Sequence, residues 1–165
     1  MKNASDFQRL KAELTVDMSL LFGLLEKNRR ASERAALAGV DEFAWVAVGY
    51  TIHNIYCLFE NYFLRISKFF ENGLDSSAWH AQLVERMTLE IPGLRPALFD
   101  KIFAARIDEL RRFRHAFRNL YQTELDPKRV RLLNDALSEL IADFSGFHKR
   151  FVAALALFVA GIESE

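Results

Sequence analysis

Apolar residues return along most of this chain at every third or fourth position, and the interruptions are short. The breaks fall at Gly39 to Asp41, Asn72 to Ser77, Ile91 to Pro96 and Thr123 to Pro127. Ser5 with Gln8 matches a capping box, and Phe7, Leu10, Leu14, Leu21 and Leu24 or Leu25 follow near the 3.6-residue period, which predicts a first helix from about 6 to 38. Asp41 can cap a second helix. Its Trp45, Val48, Ile52, Ile55, Tyr56, Phe59, Phe63, Ile66 and Phe70 make it apolar on most sides, so it should be the most buried, ending near Gly73. A shorter helix, about Ser77 to Leu89, precedes the loop Ile91-Pro92-Gly93-Leu94-Arg95-Pro96. Pro96 suits the first turn of a fourth helix that carries Leu98, Ile102, Leu110, Phe113 and Phe117 inward, and Pro127 opens a fifth that runs to about Ala160. No alternating strand pattern competes. The expected fold is all-α, an up-and-down bundle of four long helices plus one short helix.

Composition narrows the class without changing that picture. A chain of 165 residues has room for one domain, taken as residues 1–165, and should bury roughly 68 to 70% of its unfolded surface. With 51% hydrophobic residues, 15 Phe, 7 Gly and 3 Pro, it is a packed globule and not a disordered or collagenous chain. The single cysteine, Cys57, excludes an intrachain disulfide and a Cys-rich zinc site, and fits a reducing compartment. The polar start MKNASDFQRLKAEL lacks a signal core, and no stretch reaches 18 uncharged apolar residues, so the expectation is a cytoplasmic protein with no membrane partner.

Charge does change the picture. Twenty-two basic and twenty-two acidic side chains cancel overall, yet residues 101–131 hold nine basic against four acidic groups, a net +5. Residues 1–100 carry −2 and residues 132–165 carry −3, so a basic island sits in an acidic frame. On a helix of 100° per residue, Arg111, Arg114, His115, Arg118 and Asn119 fall within about 140° of one another. Phe113, Ala116, Phe117 and Leu120 fill the opposite arc. The like charges at i,i+3 and i,i+4 cost on the order of 0.2 to 0.5 kcal/mol per pair in an isolated helix, so stability alone does not select them. Two readings remain open here: a solvated face paired with acids of neighbouring helices near a helix C-terminus, or a site for an anion such as phosphate.

The stretch Arg114-His115-Ala116-Phe117-Arg118-Asn119-Leu120-Tyr121 resembles the active motif of HEPN-domain proteins, above all the HepT-like toxins. That motif runs Arg, a polar residue, three variable residues, His, one residue, Tyr. The resemblance extends through His53-Asn54-Ile55-Tyr56 to Glu60, Phe63, Arg65 and Ile66, which looks like the family's second helix. It continues through Trp79-His80 to Glu85, Arg86 and Met87, then Pro92-Gly93-Leu94-Arg95-Pro96, and ends in the turn Glu124-Leu125-Asp126. Residues 45 to 133 are covered in order.

The resemblance implies a metal-independent ribonuclease toxin, cytoplasmic and homodimeric, that acts on RNA with no cofactor. The two motif helices meet across a two-fold axis. A base takes the ribose 2′-OH proton and fixed cations stabilise charge on the phosphate. On this reading Arg114, residue 119, His115 and Tyr121 form the catalytic set, and Arg111 and Arg118 bind RNA. Tyr121 is also where a nucleotidyltransferase-type antitoxin attaches AMP; on an extended wheel it falls about 20° from Arg114. The second helix packs beside the motif helix, so Glu60 is expected to pair with Arg114 or Arg118, either as a structural ion pair or, with Asn54, as polar support for the site. The departure is at the motif histidine, whose place is taken by Asn119. An amide does not titrate near neutrality, and loss of a general base typically costs about 10²- to 10⁴-fold. Three readings follow: a toxin that uses His115 with Arg111, Arg114 and Arg118; a non-catalytic HEPN module that binds RNA or nucleotide, or serves a nucleotidyltransferase as its target; or a toxin whose motif histidine has been exchanged for Asn.

Other constellations favour packing over chemistry. His53 and Cys57, four apart, could hold two metal ligands but lack two more, so no metal is expected. Trp79-His80 and Pro92-Gly93 read as structural. Phe147, Phe151, Leu155 and Phe158 read as core or dimer surface, because His148, Lys149 and Arg150 interrupt any membrane pattern.

Overall fold

In a computed structural model, residues 2–38, 41–71, 79–120 and 124–163 are described. They form five helices: α1 (Ala4–Ala38), α2 (Glu42–Phe70), α3 (Trp79–Arg86), α4 (Lys101–Arg118) and α5 (Pro127–Glu163). Four are long and one is short, as the apolar periodicity predicts, and there is no strand among the described residues. A lone bridge pairs Ile91 with Arg95.

Pairings of side chains give the topology. Phe7 packs on Phe69 and Asn28 bonds Thr51, so α1 and α2 run antiparallel. Phe59 meets Phe144 and Phe70 meets Phe151, so α5 runs parallel to α2. Gly49 lies against Phe117 and Phe63 against Phe99, which sets α4 antiparallel to α2. The order is up, down, up, down, with α3 crossing between α2 and α4.

Helix α2 touches all four others, and its Val48, Ile52, Ile55, Phe63 and Ile66 are fully buried. The sequence expectation of a central α2 holds because its apolar residues leave little of its circumference polar. Phenylalanines carry the packing: Phe59, Phe63, Phe103 and Phe144 form edge-to-face and stacked contacts in the middle of the bundle. The C-terminal run is core, with Phe151 and Leu155 buried and Phe147 and Phe158 packed against it. No helix among the described residues is long and apolar enough to cross a membrane.

Helix ends show where local chemistry differs from the sequence expectation. Asp41 caps α2 by accepting from Phe43 N–H, as predicted, but α2 ends at Phe70; Gly73 lies outside the described residues. The α1 cap is Asn3, not Ser5 with Gln8: Asn3 accepts from Asp6 N–H while the Asp6 carboxylate accepts from Asn3 N–H. That is a reciprocal box placed earlier in the chain. Helix α3 is shorter than the predicted Ser77–Leu89, and residues 77–78 lie outside the described range. Pro96 does not open α4. The cap is Asp100, whose carboxylate accepts from Phe103 N–H. The later start corrects the inward set: Ile102 is 79% exposed, Leu98 is buried from the preceding loop, and Phe103 and Ile107 point inward with Leu110 and Phe113. At α5, Asp126 accepts from Lys128 N–H and Pro127 occupies the first turn, as predicted.

Arg95 anchors the α3–α4 connection. The chain reverses at Gly93 (φ 72°), and the buried Arg95 guanidinium donates to Glu71 Oε1 at 2.6 and 3.0 Å and to the carbonyls of Leu89 and Arg86 at 2.9 Å. Arg86 pairs with the other oxygen of Glu71 at 3.1 Å. One carboxylate at the end of α2 thus holds the whole connection.

Candidate functional site

Glycine at 49 lets the motif helix lie close on α2. With α4 in that place, Phe113 and Phe117 turn into the bundle and Arg114 turns toward α2. The Arg114 side chain, 17% exposed, pairs with Glu60 Oε2 at 3.5 Å and lies over the Tyr56 ring at 5.8 Å. Glu60 is buried, and its other oxygen, Oε1, is bonded by His80 Nδ1 from α3. Three elements therefore converge on one carboxylate. Of the two arginines expected for Glu60, the structure selects Arg114.

The field here follows from these neighbours. Tyr56 is held well above the usual phenol range, first by burial and then by the Glu60 carboxylate, against the pull of Arg111 and Arg114. His53 is pushed down by burial and by Arg114 and Arg118, with Glu60 opposing. Its ring packs against Phe117 at 5.6 Å, and its Nε2 lies 3.5 Å from Cys57 Sγ. This is the packing role expected for the His53–Cys57 pair. Arg114 Nε and His53 Nδ1 are both buried with no hydrogen-bond partner among the described residues.

The basic island is less open than its charge suggests. Arg111 pairs with Asp108 at 2.6 Å, Arg112 with Asp108 at 2.9 Å and Glu109 at 3.3 Å, and Arg106 with Asp143 at 2.5 Å. Arg118 is exposed and has no ion pair among the described residues; His115 beside it is also exposed. Asn119 is not on the helix face but caps α4 at φ −106°, and its amide donates to the His115 carbonyl at 3.0 Å. Asn54 is half-buried on α2. Tyr121 lies outside the described residues, and α4, whose wheel would place it beside Arg114, ends at Arg118.

His80 is the group that sequence reasoning misses. It reads there as structural, and the only signal pointing to it is its place within the family-like segment. No group of three or more His, Cys, Asp or Glu is placed to hold a metal ion among the described residues. A groove of about 680 Å³ between α1 and the second half of α2 contains none of the motif residues.

An antiparallel all-α bundle whose fourth helix ends in an arginine motif anchored on the second is a HEPN-type arrangement. The family described as HepT-like protein matches residues 47–155, about two-thirds of the chain. The chain belongs to the HepT-like family. No curated protein and no solved structure matches it.

Proposed function

We propose that this chain is the RNA-directed toxin member of a toxin–antitoxin pair, a metal-independent endoribonuclease that works in the cytoplasm as a homodimer. The observation that carries the reading is Arg114, a half-buried guanidinium fixed by Glu60 on a HepT-like scaffold, one turn from the open cation Arg118. A cation held in place before the substrate arrives stabilises developing phosphate charge without reorganising. A two-fold pairing of α4 would bring two Arg114–Arg118 sets to one cleft and supply the phosphate contacts that one chain with most of its arginines paired cannot. A nucleotidyltransferase-type antitoxin would act on Tyr121, which follows this helix end in the chain.

A second reading, a non-catalytic module that binds RNA or serves as a nucleotidyltransferase target, is favoured by one observation: Asn119 spends its amide on the His115 carbonyl and carries no titrating group. The test is incubation of the purified chain with labelled tRNA and mRNA under chelator, beside Asn119→His. Cleavage by the chain as it stands supports the toxin reading. Cleavage by Asn119→His alone, with RNA binding in both, supports the second.

A further inference from the structure

We propose that His80, held by Glu60 beside Arg114, is the proton-accepting imidazole of the RNA-directed site and does the work that Asn119 cannot. The inference rests on the RNA-directed reading above and adds a residue to it. The chain has four histidines, 53, 80, 115 and 148. His148 is bonded to Tyr62 Oη at 2.8 Å on the α5 side of α2, and His53 is tucked against Phe117 and Cys57. His115 stands exposed, with no side chain bonded to its ring among the described residues. Among the described residues His80 is the imidazole placed on a carboxylate, and that carboxylate also holds Arg114.

The chemistry follows from that shared anchor. A carboxylate that accepts Nδ1–H fixes both the ring orientation and the tautomer, and it leaves the basic lone pair on Nε2. Glu60 is itself buried on α2, while the His80 side chain is 34% exposed. Because Oε1 takes His80 and Oε2 takes Arg114, one group sets the spacing between a proton acceptor and a phosphate cation. Helix α3 is held in turn by Arg95, which bonds the Arg86 carbonyl at its C-terminal end. In the reaction, Nε2 takes the proton of a ribose 2′-OH and the 2′ oxygen bonds to the adjacent phosphorus. The bond from phosphorus to the 5′ oxygen breaks, and water protonates the departing oxygen. Arg114 and Arg118 stabilise the phosphoryl oxygens, and His80 returns its proton to solvent. The products are a 2′,3′-cyclic phosphate and a 5′-hydroxyl, with no redox change and no co-reactant beyond water.

The experiment uses the full chain with labelled RNA under chelator and reads binding by anisotropy, rate, and product ends. His80→Asn keeps an N–H donor near the Nδ1 position for Glu60 but cannot titrate, so it separates a structural from a proton-transfer role. The expected result is that the unmodified chain leaves cyclic phosphate ends, and that His80→Asn binds RNA equally but cuts about 10²- to 10⁴-fold more slowly. Added imidazole should return part of the rate to His80→Ala. The inference is overturned if His80→Asn cuts within a few-fold of the unmodified chain, or if folded His80→Ala gains nothing from imidazole. It is also overturned if the unmodified chain binds RNA without cutting it, an outcome that favours the non-catalytic, RNA-binding reading instead. Absence of RNA binding by the unmodified chain sinks that reading itself.

Discussion

A methyl group placed on Gly49 would come within 2.7 Å of the Phe117 ring and 3.4 Å of Phe113, so α2 has no room for a side chain where the motif helix crosses it. The atoms met belong to aromatic rings packed against the core, not to the free end of a flexible chain. Gly49→Ala should therefore destabilise. Overpacking typically costs about 1 to 3 kcal/mol, against about 1 kcal/mol gained in helix propensity. Thermal melting should show Tm lower by roughly 2 to 6 °C. Gly23→Ala, on an exposed stretch of α1 where a methyl meets nothing within 4 Å, should raise it instead. Equal effects from the two would mean that the α2–α4 contact is looser than its geometry.

Removal of Arg95 should cost far more than removal of any surface arginine. Its guanidinium is fully buried and supplies four bonds to Glu71, Leu89 O and Arg86 O, so Arg95→Ala leaves a part-buried carboxylate and two carbonyls short of donors. Breaking a buried pair from one side costs about 3 to 5 kcal/mol. Arg95→Lys keeps the charge but not the planar fork, and should also destabilise, by about 1 to 3 kcal/mol. Denaturant titration measures both. A change below about 0.5 kcal/mol for Arg95→Lys would show that charge alone suffices there.

Acid should weaken the fold through two histidines. Burial pushes both His148 and His53 down, with Lys149 adding to the first and Arg114 and Arg118 to the second. The unfolded chain then binds protons that the folded chain refuses. Above about pH 6.5 both states are neutral at these sites; as pH falls below it, the unfolded state protonates first and stability drops. Asp17 works the other way, since burial raises it despite Arg65, so its protonation in acid favours the folded state. Melting between about pH 7 and 5.5 should show Tm falling. His148→Asn, which keeps an amide near Tyr62, should flatten part of the slope; an unchanged slope would remove His148 as a cause.

The fold is legible in the sequence because apolar spacing reports burial directly. Trp45, Val48, Ile52, Ile55, Tyr56, Phe59, Phe63 and Ile66 fall on the inward side of α2 by their spacing, and all are buried. The start of α4 is not legible in the same way. Pro96 is a common first-turn residue, but Asp100 offers a side-chain acceptor to the first free N–H groups, and the later start turns Ile102 outward. At the site, the pairing of Glu60 with Arg114 can be anticipated from two helices expected to lie side by side. His80 cannot: it lies twenty residues from Glu60 across a connection with no period, and a contact of that kind is set by tertiary packing alone. Arg95 escapes for a related reason, since an arginine in a Pro-Gly loop is ordinarily exposed.

RNA should be held by the open end of α4 more than by the island's total charge. Arg112 lies on α4 near the motif but is shared between Asp108 and Glu109, whereas Arg118 is exposed and has no ion pair among the described residues. A cation already neutralised by its own helix releases few counterions when a phosphate arrives, and an open one releases its full share. Arg118→Ala should therefore weaken RNA binding and flatten the plot of log affinity against log salt by about 0.7 for each phosphate no longer neutralised, as expected for a single strand. Arg112→Ala should leave both almost unchanged. Anisotropy titrations between about 50 and 200 mM salt distinguish the two variants. If Arg112→Ala flattens the slope as much as Arg118→Ala does, RNA is following the net charge of the whole island and not the helix end where Arg114 is anchored.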